Sequence, residues 1–124
     1  MTTFAIDFDA TSLTETQFNF MDGVATLTLH KPDLRNAIST VMLAELIYLL
    51  EWCALHDEVR VVVLQGSEKG FCPGDNLRGM GPLPEDFPFM PSRRVTHAGI
   101  QHCLRGMSKP TIARVQGVAF GGAV

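Results

Sequence analysis

Two apolar runs, Val59–Leu64 and Thr111–Val115, each break into a glycine-bearing segment, and this repeated junction constrains the fold more than any other feature. The first run leads to Phe71-Cys72-Pro73-Gly74-Asp75-Asn76-Leu77. The second leads to Gln116-Gly117-Val118-Ala119-Phe120-Gly121-Gly122-Ala123-Val124. Val59–Leu64 is a nearly continuous β-branched run, the pattern of a strand covered on both faces. Glycine after such a strand permits close backbone approach, because no Cβ stands in the way. Two junctions of this kind can point N–H donors at one oxygen atom, the arrangement that stabilises a developing oxyanion.

The rest of the chain supplies a matching scaffold. Residues 1–14 are weakly patterned and read as a loosely held N-terminal arm; residues 15–124 read as one domain. Gln17–Met21 and Val24–Leu29 flank Asp22-Gly23, a strong hairpin signal. Ala25, Leu27 and Leu29 alternate with Val24, Thr26 and Thr28, predicting a sheet with unlike faces. After the loop His30–Ala37, Ser39 is placed to cap a helix running to about Leu55. Met42, Leu43, Leu46, Leu49, Leu50 and Cys53 recur on it at helical spacing, predicting one wide apolar stripe. A further helix is expected over Val95–Met107, ended by Pro110. The intervening stretch Gly79–Ser92 holds four prolines and reads as a mobile, lid-like loop. Strands alternating with helices predict an α/β architecture with right-handed crossovers.

Composition narrows the class. At 124 residues the chain suits one domain. With 46% apolar and 19% charged residues it is globular. A net charge of −3 argues against a nucleic-acid-binding module, which needs a dominant basic face. Cys53, Cys72 and Cys103 lack CxxC spacing and read as reduced thiols of an intracellular protein. No secretory signal is seen, and no apolar run approaches the ~20 residues of a membrane span. The expectation is a cytoplasmic protein without a metal, since His30, His56, His97 and His102 show no metal-ligand spacing. Neither Rossmann nor P-loop spacing is present.

Three blocks, His30-Lys31-Pro32…Arg35-Asn36-Ala37, Val61-Val62-Val63-Leu64-Gln65-Gly66…Phe71-Cys72-Pro73-Gly74-Asp75-Asn76-Leu77 and Lys109-Pro110-Thr111-Ile112-Ala113-Arg114-Val115-Gln116-Gly117…Gly121-Gly122, resemble the enoyl-CoA hydratase/isomerase (crotonase) family. The resemblance runs from about Thr16 to Val124 and corresponds to the N-terminal half of a usual member. It implies the N-terminal portion of a crotonase-like ββα spiral without the C-terminal helices. It implies an acyl-CoA thioester as substrate, with no cofactor beyond the coenzyme A that the substrate carries. The thioester enolate would be stabilised by two backbone N–H groups, which fall on Asp75 and Gly122. Arg35, Ala37 and Pro73 fall on positions that contact coenzyme A, Arg35 as a phosphate partner and Pro73 through its carbonyl. The family's hydratases place their acid and base glutamates after the second segment. The 124-residue chain is therefore expected to be truncated before its acid and base, with negligible hydration by itself. Trimers or hexamers are expected of a full-length form.

Each of these residues also has a plainer reading. Gly74 and Gly122 suit turns or close packing whatever the chemistry. Arg35 suits a solvated loop, and Cys72 a small buried thiol. An ionised Asp75 carboxylate ~5 Å from an oxyanion would cost roughly 3 kcal/mol at an effective dielectric of 20. Its side chain is therefore expected to turn away and cap a helix beginning near Asn76, the alternative being a proton carrier. His97 lies on the helix expected to face the acyl pocket. Two readings stay open: an enzyme of the hydratase/isomerase type, and a degenerate member that binds acyl-CoA or a partner subunit without turnover.

Overall fold

The computed structural model describes residues 6–31, 37–66, 70–71, 79–89 and 95–116. Among these the order is a 3-10 turn (Ala10–Ser12), β1 (Thr16–Met21), β2 (Val24–Leu29), α1 (Thr40–Leu55), β3 (Val61–Gln65), α2 (His97–Gly106) and β4 (Thr111–Arg114). The strands form one sheet in the order β1-β2-β3-β4, antiparallel at β1–β2 and parallel thereafter. This is the expected mixed α/β arrangement.

Local chemistry explains the first elements. Asp22 and Gly23 both take positive φ, 52° and 82°, so the hairpin turns through two left-handed residues, as a two-residue loop between twisted strands requires. Ser39 caps α1, its hydroxyl accepting from the Met42 N–H at 3.1 Å and donating to Glu15 Oε1 at 2.6 Å. Ala25, Leu27 and Leu29 are buried while Val24 is exposed and Thr26 and Thr28 are half-buried, so the alternation fixes the inward face of β2. Register carries that face across the sheet, pairing Phe18 with Leu27 and Leu64, and Phe20 with Ala25 and Val62.

Three expectations need correction. The helix carries more than a stripe: Met42 through Ile47, Leu49, Leu50, Trp52 and Cys53 are all buried. The N-terminal arm and the loop before α2 cover the side of α1 that a simple two-layer fold would leave wet. The arm is also docked rather than loose over its described part. Phe8 sits edge-on to Phe18, Tyr48, Trp52 and Phe89, with centroids 5.4 to 6.1 Å away. A single aromatic anchor has no periodicity, and so it left no pattern to read. Finally, among the described residues β3 is covered less fully than expected: only Val62 is fully buried and the rest are half-buried, while every residue of β4 is exposed.

The proline-rich stretch is likewise anchored where it is described. Phe89 is buried and lies against Tyr48 with centroids 4.8 Å apart. Buried Glu45 ties the other side of α1 to the start of β1. Its two carboxylate oxygens accept from the N–H and hydroxyl of Thr14, the N–H of Glu15 and the hydroxyl of Thr16, at 2.6 to 3.1 Å.

Candidate active site at the carboxyl edge of the sheet

Because β2, β3 and β4 run parallel, their carboxyl ends lie along one edge. Thr28, Gln65 and Arg114 are register partners there. All three segments singled out in the sequence leave from this edge: the loop bearing Arg35 and Ala37 after β2, the segment bearing Pro73 and Asp75 after β3, and the segment bearing Gly122 after β4. Crevices at the carboxyl ends of parallel strands are where ligands of α/β sheets bind, since successive loops converge there.

The roots of these segments differ in burial. After β3 the chain passes through Gly66, where an added Cβ would run into the backbone of Gly70 and Phe71. Glycine is required here by close approach. Gly70 has φ 133°, and Phe71 is buried in the core. The segment carrying Pro73 and Asp75 thus starts from a pinned residue. After β2, Ala37 is half-buried and followed by buried Ile38 and Ser39, so the Arg35–Ala37 loop returns directly into the cap of α1. After β4, by contrast, Val115 and Gln116 are exposed. Arg35, Pro73, Asp75 and Gly122 themselves lie outside the described residues, as do Cys72 and the helix expected near Asn76. The convergence of the two N–H donors therefore lies outside them too.

A polar row behind this edge went unread in the sequence. Arg114 donates to Gln65 Oε1 at 3.3 Å, and Gln65 Nε2 donates to Thr28 Oγ1 at 3.0 Å, so three parallel strands share one side-chain chain. Its only signal is strand register, which no local pattern encodes. Of the other titratable candidates, His97 opens α2 and His102 is exposed on it. Cys53 and Cys103 are buried thiols outside any disulfide. Burial pushes the Cys53 thiol up to about 12, with the nearby Lys109 ammonium opposing that shift, so Cys53 is an inert packing thiol. Among the described residues no group of three or more His, Cys, Asp or Glu is placed to hold a metal ion, and no helix is long and apolar enough to cross a membrane.

Comparison with known proteins agrees with this architecture. Residues 19–124 match the enoyl-CoA hydratase/isomerase family. The chain is 32% identical over 105 residues to 4-chlorobenzoyl coenzyme A dehalogenase-2 of an Arthrobacter species, covering 83% of this chain and 38% of that protein. Among solved structures it superposes on a Pseudomonas aeruginosa protein with 32% identity and TM-score 0.73, covering 90% of this chain and 48% of that one. It superposes also on a Legionella pneumophila protein described as an enoyl-CoA hydratase/isomerase (crotonase), with 30% identity, TM-score 0.74, and coverage of 90% and 43% respectively. The chain thus spans less than half the length of these relatives. From its sheet order, from the loops rooted at one edge and from these matches, the chain belongs to the enoyl-CoA hydratase/isomerase family.

Proposed function

We propose that this chain is the thioester-holding part of an acyl-CoA enzyme of the hydratase/isomerase type. The backbone N–H groups of Asp75 and Gly122 receive the thioester oxygen as it becomes negative. Arg35, Ala37 and Pro73 hold coenzyme A, with the Arg35 guanidinium facing a phosphate. The observation that supports this reading best is topological: all three segments leave the same edge of the parallel part of the sheet in a chain of this family. The Arthrobacter relative is described as acting on a chlorobenzoyl coenzyme A, which fits a family whose common ground is the thioester and not one fate of the acyl chain. In this reading the working assembly is a homo-oligomer, and the setting is cytoplasmic acyl-CoA metabolism such as fatty acid metabolism.

The test uses a 3-oxoacyl-CoA, whose enolate has its own near-ultraviolet band. The chain should bind it and raise that band. Asp75→Pro, which deletes one N–H donor, should abolish the band, because one oxyanion donor is worth ~2.7–4 kcal/mol. Asp75→Asn should retain it. Arg35→Ala should weaken binding about ten-fold or more, the worth of a charge-assisted hydrogen bond. Binding without an enolate band would favour the non-catalytic reading, and no binding at all would overturn the thioester reading and leave only a degenerate member that holds a partner subunit.

A further inference from the structure

We propose that Lys109 is the positioning residue for the second glycine segment: by tying the start of β4 to the carboxyl end of α1, its ammonium sets the register in which Gln116 and its successors leave the sheet. Strand register is ordinarily fixed by burial, because a one-residue slip turns every buried side chain outward. Strand β4 lacks that restraint. Thr111 to Arg114 are all exposed, Ile112 by 52%. The backbone ladder alone is not selective, since a two-residue slip restores the same facing and the same bond directions. Such a slip would move the exit of the strand by roughly 6.6 Å, far beyond the tolerance of an N–H donor aimed at one oxygen.

What holds the register lies just before the strand. Lys109 Nζ donates to the carbonyls of Cys53 and His56, at 2.5 Å each. These belong to the last turn and cap of α1, where carbonyls lack helical partners and the helix end carries partial negative charge. Helix α1 is buried along most of its length and so serves as a fixed reference. With Lys109 seated there, the adjoining Pro110 carbonyl accepts from the Val62 N–H at 3.0 Å, and Thr111 falls opposite Val62. At the far end of β4 the contact from Arg114 to Gln65 is exposed and longer, 3.3 Å, and so holds less firmly.

The consequence for chemistry rests on the proposed thioester function, but the register itself can be read without any ligand. The Val62 amide bonds toward β4, whereas Val61 bonds to Gly23 on the β2 side, so by alternation Val63 also faces β2. In Lys109→Met, hydrogen exchange at Val62 should accelerate on the order of ten-fold or more while Val63 holds its wild-type rate, and Lys109→Arg should restore Val62. An unchanged Val62 rate, or equal acceleration of both amides, would overturn the proposal. Should Lys109→Met fail to fold, the wild-type chain still decides: ammonium protons of Lys109 held by two carbonyls should exchange slowly enough to be seen by nitrogen-15 NMR, and their absence would count against the anchor. With a 3-oxoacyl-CoA as probe, Lys109→Met should lose the enolate band and Lys109→Arg keep it; a wild-type chain without the band sinks the thioester reading and leaves Lys109 to be judged on exchange.

Discussion

Glu45 shows that a residue type ordinarily left in water can lie in the interior when every carboxylate oxygen is paired. It interrupts the apolar positions of α1 and would pass for a solvated helix residue, yet it is 0% exposed and accepts four hydrogen bonds. Truncation would strand those donors in the interior, so Glu45→Ala should cost about 3 kcal/mol or more in urea unfolding. A loss near zero would mean that water replaces the carboxylate. Asp7 offers a second case. The indole N–H of Trp52 donates to it at 2.5 Å and is the main cause holding its carboxyl below the ordinary 3.8; partial desolvation opposes this, and a contact with His56 at 3.3 Å adds to it. A folded value below the unfolded one means that the contact stabilises the arm above that range and is lost as pH falls through it. Trp52 is the only tryptophan, so its fluorescence should report arm release on acidification below 3.8. Asp7→Asn should flatten that transition; an identical profile in the variant would rule out the Asp7 contact as its source.

At the scale of elements, legibility followed the range of the interactions. The hairpin at Asp22-Gly23, the Ser39 cap and the limits of β2 were all readable, because turn geometry and capping act within a few residues. The degree of cover was not. Val61 to Val63 look like a buried parallel strand, but what covers a strand is decided by distant segments. The junction after β3 mixes both. Its glycines were evident, whereas the collision that makes Gly66 obligatory depends on where Gly70 and Phe71 return. Gly66→Ala should therefore destabilise by about 2 kcal/mol or more, since backbone and not a flexible side chain must move. It should also weaken thioester binding, because the root of the Pro73–Asp75 segment would shift. Unchanged melting would show that the loop relaxes freely.

For the whole molecule, the outer face of the sheet is the unusual property. Met21, Val24 and Ile112 are 37 to 64% exposed on the face away from α1, and β4 pairs with β3 alone among the described residues. Exposed strand edges flanked by apolar residues invite pairing between chains. Sedimentation should show association rising with concentration, reduced in Ile112→Lys; a monomer across the range would show that the face is covered. What the sequence by itself determined was local and directional: which residues form strands, where helices begin, and which family's blocks the chain carries. Only the tertiary structure decided that Glu45 is interior, that Phe8 docks the arm, that Thr28, Gln65 and Arg114 share a row, and that Lys109 reaches the end of α1. The division has a physical cause. Propensity, capping and turn chemistry act between near neighbours in the chain, whereas register and burial are settled by partners 29 to 56 residues away in the side-chain contacts of Glu45, Gln65 and Lys109, which no local pattern names.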